Sequence, residues 1–451
     1  MKKTILTLLL LLSLPAWGQD YCFPDTIEPL IKTRWGQNFP FNILCPKKEV
    51  DGETVYNVAG CGPLAMAQIV NYHRYPQMSP DMKYEYDWNL MFNIYEKGRL
   101  LKEEIVAVAK LISDCGVSSF TQYNDSNATT NMSHIMGALK RLFLYNNYMC
   151  IYNHDEFTTP ARDSLYRSML FSELKAGRPV IVRGSKEKEG GHLFLIDGCK
   201  GDKVHANFGW AGSRDGYYRL DDLFGYSQHQ WMLIEVADTT HRPQYTEVEL
   251  KKAGTLKQIL TPAAQDTIRH IRLSGDINAS DFATLRHMLR YGVLRTIDME
   301  QVKLRQLPDT AFYECQYLSY FVAPRRLEHT GNRTFQRCRN LNNVVFFNKL
   351  ETVGYAAFSG CANLLNVHLP NSVTSINSNA FTSCEALLNV RLPEYVERVG
   401  HYAFSYCKNL YSLYLPKDVE YVGKEVTKEC PRLKRVYNMP LNPHRSNKPS
   451  N

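Results

Sequence analysis

The sequence predicts two domains, an α+β domain followed by a solenoid of short repeats. With 451 residues, the chain is longer than one hydrophobic core usually serves, so two domains are the starting expectation. The first half shows helix-type patterns followed by strand-type patterns, which is typical of an α+β domain. The second half repeats with a fixed period of 23 residues, which is typical of a solenoid.

The first 18 residues have the layout of a secretory signal peptide. A basic start is followed by a leucine-rich run over residues 5–14 and a small-residue triplet over residues 16–18. The apolar run is too short to span a bilayer. We therefore expect residues 1–18 to be removed, leaving a secreted or cell-surface protein without a transmembrane segment.

The charge of the chain argues against nucleic acid as its partner. The formal net charge of +8 is mild for this length, and no basic stripe is interleaved with aromatic residues.

The twelve cysteines fall into two groups. Six are spaced irregularly in the first half, and the other six follow one another at 23-residue intervals. A leucine lies three residues after each cysteine of the second group, and a phenylalanine lies three residues before all but the last. Equivalent positions of a solenoid stack on one another, so a small buried thiol in each repeat explains this period better than metal binding or disulfides. The regular cysteines are Cys315, Cys338, Cys361, Cys384, Cys407 and Cys430.

Phrases such as "AFSGCANLLNVHLPNSVTSI" resemble surface leucine-rich repeats of the BspA type. The resemblance covers about residues 267–437, with residues 239–266 as linker and cap and residues 438–451 as a polar tail that we expect to be disordered. It implies a role in recognition or adhesion, because a curved solenoid presents a long binding face. A host or bacterial surface protein is the expected partner of that face.

The first domain is expected over residues 19–238, up to the polar boundary "ADTTHRPQ". Hydrophobic periodicity predicts helices over residues 64–73, 103–115, 132–144 and 163–176. Strands are predicted afterwards at "RPVIVRG", "GHLFLIDG", "KVHANFGW" and "GYYRL".

Cys61 heads the first of these helices, in the phrase "AGCGPLAMAQIVNYHRYP". Pro63 is favoured in a first helical turn, and the run "LAMAQIVNY" suits a helix buried on all sides. The positive end of the helix dipole favours thiolate over thiol. From this stretch alone, however, a buried core thiol is the better explanation.

A later stretch supplies the partners that a reactive cysteine needs. His192 begins an apolar strand, and Asn207 lies on the next strand across a turn. We expect Asn207 to accept a hydrogen bond from the His192 imidazole, and Trp210 to shield that bond from water. The order Cys, His, Asn is typical of papain-like proteases. Asp197 is an alternative third member of the catalytic triad, but its place beside Gly198 predicts that it stabilises a turn.

Together with "WGQNFPFNILCP" and "ANFGWAGSRDGYYRL", these motifs resemble the streptopain family of bacterial cysteine peptidases over about residues 30–236. The resemblance implies a papain-like fold that needs no metal or organic cofactor. It implies that Cys61 is the nucleophile and His192 the general base and acid, supported by Asn207 and Trp210.

The resemblance also implies two substrate-binding positions and shows departures from the family pattern. Gly191 matches a backbone position that binds substrate, and Thr129 falls where the family has a substrate-contacting serine. Phe208 stands where the family has tryptophan, and Arg183 stands near the place of a glutamine. These departures bear on substrate preference and catalytic strength.

The sequence therefore predicts a secreted cysteine endopeptidase that acts on protein or peptide substrates, with the repeats for substrate or surface recognition. One alternative is a surface adhesin whose protease domain is weakly active or inactive. Another keeps the thiol chemistry but hydrolyses cell-wall peptides or transfers acyl groups.

Overall fold

The structure is a computed structural model, and it describes residues 22–438 apart from residues 51, 97–100, 125–126 and 189. The predicted signal peptide and residues 439–451 of the predicted tail lie outside the described residues. The described chain divides into two compact units, one with residues up to 135 and residues 151–236, the other with residues 136–150 and those from 237 onwards. Within the described residues, no helix is long and apolar enough to cross a membrane.

The helices of the first half lie where the periodicity predicts them, although their ends differ. The α-helices are α1 (Cys61–His73), α2 (Lys102–Ser118), α3 (Met132–Arg141) and α4 (Pro160–Lys175), and short 3₁₀ turns lie at Trp88–Leu90 and His154–Glu156. Helix α4 begins three residues earlier than its hydrophobic pattern, because the Thr159 side chain caps it and Pro160 opens its first turn. After α3 the chain leaves the helix, and Leu144 has a left-handed φ of 55°.

A six-stranded sheet forms the other layer of the first unit. Two small hairpins come first along the chain, β1 (Lys47–Val50) with β2 (Glu53–Tyr56), and β3 (Gln122–Tyr123) with β4 (Ala128–Thr129). The large sheet has the order β5-β10-β6-β7-β8-β9, and the neighbours from β10 to β9 are antiparallel. Its strands are β5 (Cys150–Asn153), β6 (Val180–Lys186), β7 (Gly190–Lys200), β8 (Lys203–Asn207), β9 (Gly216–Arg219) and β10 (Gln228–Ile234).

Helix α1 is the buried element of this unit. All residues from Gly62 to Val70 are buried, which confirms the prediction of a helix buried on all sides. The apolar sequence of α1 follows from this position, because only side chains without charge are buried at low cost on every face of a helix.

The second unit begins with a sheet of parallel strands that leads into the repeats. Its elements are β11 (Thr246–Leu250), α5 (Leu256–Ile259), α6 (Pro262–Thr267), β12 (His270–Gly275), α7 (Ala279–Tyr291), β13 (Thr296–Val302), β14 (Tyr320–Val322) and β15 (Asn343–Val345). The five strands pair in sequence order and in parallel. The phrases "TIRHIRL" and "LRTIDM" contribute to β12 and β13.

The repeats pair with one another at the 23-residue interval seen in the sequence. Ser375 pairs with Arg398 and Arg398 with Tyr421, and the other parallel pairs of the repeats keep the same offset. The short strands are β16 (Thr352–Val353), β17 (Ser375–Ile376), β18 (Asn389–Arg391), β19 (Arg398–Val399), β20 (Ser412–Leu415), β21 (Tyr421–Val422) and β22 (Arg435–Asn438). Each repeat therefore takes its backbone partners from its neighbours.

The regular cysteines form the buried row that the period predicts. Cys315 to Cys407 are fully buried and Cys430, in the last repeat, is half-buried, all with free thiols. From Cys338 onwards each Sγ–H donates to the carbonyl of the phenylalanine 26 residues earlier, for example Cys361 to Phe335 at 3.1 Å. The thiols thus fill the core and also link neighbouring repeats.

Candidate active site

Cys61 is the first residue of α1, where the helix meets strand β7. Gly60 turns the chain into the helix with a φ of 90°, a region that favours glycine. A Cβ atom on Gly60 would lie 3.0 Å from the Cβ of Ala128. The strand that carries Thr129 therefore passes beside Cys61, and Thr129 itself is exposed.

The thiol of Cys61 is surrounded by backbone donors. Backbone amides of Leu193, Gly62 and Cys61 itself donate towards the thiol and lower its pKa. The positive charge of Arg183 also lowers it. Burial outweighs these contributions and raises the pKa of Cys61 above its ordinary value. The contact with the Leu193 amide places Cys61 beside the residue that follows His192.

His192 is 7% exposed and lies within a cluster of aromatic rings. Its ring centroid is 4.8 Å from that of Trp210 and 5.2 Å from that of Tyr226. Burial lowers the pKa of His192 to about 4, and the charge of Lys186 contributes to the lowering. At neutral pH the imidazole is therefore neutral.

A backbone carbonyl fixes the orientation of the His192 ring. Nε2 of His192 lies 2.9 Å from the carbonyl oxygen of Phe208. Because a carbonyl oxygen only accepts, Nε2 carries the hydrogen, and Nδ1 is left as the proton acceptor.

Asn207 does not take the position predicted for it. Its Nδ2 donates to the carbonyl of Thr33 at 3.0 Å, and its Oδ1 accepts from the amide of Gly209 at 3.1 Å. The side chain therefore holds the backbone around Phe208. Because the Phe208 carbonyl binds His192, Asn207 positions the imidazole indirectly. The sequence placed Asn207 near His192 but could not show the direction of its amide.

Gln68 and Thr33 complete a buried polar cluster that the sequence did not predict. Gln68 lies two helical turns after Cys61 and forms a reciprocal amide pair with Asn207, at 3.2 and 3.3 Å. Thr33 Oγ1 donates to Gln68 Oε1 at 2.7 Å. Gln68 is the one polar side chain in the apolar run "LAMAQIV". A lone polar residue in a buried run needs a hydrogen-bond partner, so the sequence did contain an indication of this cluster.

Two further predicted positions have different outcomes. Gly191 is exposed, and a Cβ atom there would lie 2.9 Å from Nη2 of Arg183, so the guanidinium covers this backbone. Asp197 lies inside β7 and not at a turn, and it accepts from the amide of Ile31 and from His205 Nδ1 at 2.8 and 2.7 Å. The predicted role of Asp197 in a turn was wrong, because strand β7 continues through a bulge between Ile196 and Gly198.

The remaining cysteines of the first half lie apart from this arrangement. Cys115, Cys150 and Cys199 are buried as predicted. Cys45 is buried and Cys22 is exposed, and both are free thiols. Among the described residues, no group of three or more His, Cys, Asp or Glu side chains could hold a metal ion.

Residues 35–218 match the Peptidase C10 family. These residues form a Peptidase C10 domain. Residues 305–434 match the BspA type leucine rich repeat region in six copies. The predicted fusion of a streptopain-family domain to BspA-type repeats is confirmed, and with it the fold class of an α+β papain-like domain followed by leucine-rich repeats.

Curated relatives match the peptidase half of the chain. Streptopain of Streptococcus pyogenes is 30% identical over 233 residues, which cover 44% of this chain and 57% of the relative. The thiol protease/hemagglutinin PrtT of Porphyromonas gingivalis is 27% identical over 227 residues, covering 44% of this chain and 25% of the relative. The chain thus spans little more than half the length of streptopain.

Solved structures match each half separately. Active wild-type interpain A of Prevotella intermedia, a cysteine protease, is 29% identical with a TM-score of 0.43, covering 48% of this chain and 96% of that one. A leucine-rich repeat protein of Bacteroides ovatus is 26% identical with a TM-score of 0.29, covering 30% of this chain and 34% of that one.

Proposed function

We propose that this chain is a secreted cysteine endopeptidase in which Cys61 and His192 carry the chemistry. The observation that carries the proposal is the meeting of α1 and β7, where the Cys61 thiol contacts the amide of Leu193, next to His192. The Peptidase C10 match over residues 35–218 and the streptopain likeness support it.

The reaction would proceed through an acyl-enzyme. Nδ1 of His192 takes the proton of the Cys61 thiol while Sγ attacks the peptide carbonyl carbon. The backbone amide of Cys61, with neighbouring donors, holds the resulting oxyanion. The imidazolium then protonates the departing amine, and water attacks the thioester with His192 as base, which releases the acid and restores the thiol.

The free enzyme would hold the cysteine and histidine as a neutral pair. The sequence predicted that the helix dipole favours the thiolate of Cys61. Burial raises the pKa of Cys61 and lowers that of His192, and both shifts favour the neutral forms. Proton transfer therefore accompanies the attack and does not precede substrate binding.

The repeats would supply recognition outside the catalytic site. We place their partner among host or bacterial surface proteins, on the support of the BspA-type match over residues 305–434. Export through residues 1–18 is part of the same proposal, since these residues have the layout of a signal peptide.

Labelling with a thiol-directed epoxide inhibitor tests the catalytic proposal. The purified chain is expected to be labelled at Cys61 and to cleave protein substrates, and Cys61→Ala should lose both properties. Cys22→Ser, which removes an exposed thiol elsewhere, is the matched control and should keep both. Cleavage that survives in Cys61→Ala would refute the proposal, and an unlabelled wild-type chain would favour the adhesin.

A further inference from the structure

Arg183 lies in β6, beside the strand that carries His192. In the antiparallel register, Arg183 pairs with Leu193 and Gly184 pairs with His192. Leu193 is also the residue whose amide contacts the Cys61 thiol. The backbone of Arg183 is therefore one strand away from the reacting groups.

The guanidinium of Arg183 reaches back over Gly191. A Cβ atom at Gly191 would lie 2.9 Å from Nη2 and 3.2 Å from both Cζ and Nε of Arg183. Gly191 is exposed, so the planar group lies at an accessible surface next to the catalytic histidine. Any larger residue at position 191 would displace the guanidinium.

Arg183 is half-buried without an anionic partner. Among the described residues, its guanidinium makes no hydrogen bond or ion pair. In the same unit, Arg178 binds Glu173 through two nitrogens and Arg167 binds Asp163 at 2.7 Å. Holding a cation partly away from water without a carboxylate is unfavourable, so a position of this kind is suited to an anion supplied from outside.

We propose that Arg183 binds a side-chain carboxylate of the substrate, so that the protein selects peptides with Asp or Glu close to the scissile bond. The inference rests on the proposed function, since it names the substrate class of the same site. The planar guanidinium offers two parallel N–H groups, which match the two oxygens of a carboxylate. Lysine in the same place would supply the charge without that geometry.

Peptide binding to the Cys61→Ala chain tests the proposal without turnover. The probes are fluorescent peptides that are identical except for a single Glu or Gln, placed at successive positions. At one position we expect the Glu peptide to bind about 10-fold more tightly than the Gln peptide, as a charged hydrogen-bonded pair at a half-buried site predicts. The difference should decrease as salt is added.

Variants at Arg183, each made in the Cys61→Ala chain, assign the preference to this side chain. Arg183→Gln should bring the Glu-to-Gln ratio close to one, and Arg183→Lys should retain only part of it. Arg74→Gln removes an exposed arginine at the far end of α1 and should leave the ratio unchanged. Absence of a Glu preference at every position, or a preference that survives in Arg183→Gln, would overturn the proposal.

Failure here is distinguishable from failure of the proposed function. If the epoxide labels Cys61 but no Glu preference is found, the peptidase proposal stands and the proposed selectivity for acidic peptides is refuted. If the wild-type chain is not labelled but shows a Glu preference that depends on Arg183, the peptide-binding site stands and the catalytic proposal is refuted.

Discussion

The neutral imidazole of His192 sets the lower pH limit expected for activity. Burial lowers its pKa to about 4, so Nδ1 stays available for the thiol proton down to that pH. Below it, Nδ1 is protonated and the reaction stops. We therefore expect kcat/KM for an uncharged peptide to rise with pH through a midpoint near 4 and to remain high at pH 6.5.

A variant at Lys186 provides a comparison for the pH profile of the wild-type chain. The charge of Lys186 contributes to the lowered pKa of His192, so Lys186→Gln should move the acid midpoint upwards. Circular dichroism at each pH would separate loss of activity from unfolding. A midpoint near 6.5 in both variants would contradict the assignment, because that is the ordinary pKa of histidine.

The sequence was enough to propose Cys61 and His192 as the reacting residues, but it did not reveal the contacts of the polar atoms around them. The motifs around Cys61 and His192 are local and contiguous, and the structure brings them together. The amide of Asn207 is paired with Gln68, 139 residues away in the chain. The direction of such a side chain depends on which distant donor lies nearest, which the local sequence does not encode.

At the scale of elements, the junction of α1 with β7 depends on the small residue after the cysteine. A Cβ atom on Gly62 would collide with Cγ2 of Thr130 and would lie 3.1 Å from Cδ1 of Leu193. We expect Gly62→Ala to move the start of α1, because Thr130 is held by its hydrogen bond to the Ser119 carbonyl and Leu193 is buried.

The effect of Gly62→Ala should appear in catalysis and in stability. A displaced nucleophile should lower kcat/KM on the order of 10- to 100-fold, and urea unfolding should show a loss of about 1–3 kcal/mol. Gly216→Ala is the control, because its Cβ would meet only Tyr218, no closer than 3.7 Å. Equal activity in the two variants would show that the junction tolerates the methyl group.

Helices and strands were predictable from periodicity, whereas their ends were not. The helix at Cys61 begins three residues before its apolar run, because Gly60 is its N-cap and Cys61, Gly62 and Pro63 open its first turn. Strand β7 extends through Gly198, although glycine usually indicates a turn, and the irregularity is a bulge between Ile196 and Gly198. Ends of elements depend on caps and neighbours more than on hydrophobic pattern.

At the scale of the whole molecule, the repeats are held by contacts between adjacent copies. The Phe358 ring stacks on Phe335 and Phe381 with centroids 5.1 and 5.2 Å apart, and it is 1% exposed. Because each repeat is stabilised by its neighbours, removing this ring weakens two interfaces at once.

Phe358→Ala should therefore destabilise the repeats by about 3–5 kcal/mol in urea unfolding. Tyr355→Ala, which truncates an exposed ring in the same repeat, should cost less than about 1 kcal/mol. Cys61 belongs to the other compact unit, so its labelling by the epoxide should persist in both variants under native conditions. Loss of labelling in Phe358→Ala alone would show that the two units unfold together.

The sequence by itself determined the two kinds of architecture, the repeat period and the buried helix, and it supplied the residues proposed for the catalytic pair. These features follow from local periodicity and contiguous motifs, which depend only on residues that are neighbours in the chain. Only the tertiary structure decided that Asn207 binds Gln68 and Thr33, that the Phe208 carbonyl orients His192, and that Arg183 covers Gly191. Hydrogen-bond directions, burial and the resulting pKa values depend on groups that are distant in sequence and become neighbours only when the chain folds.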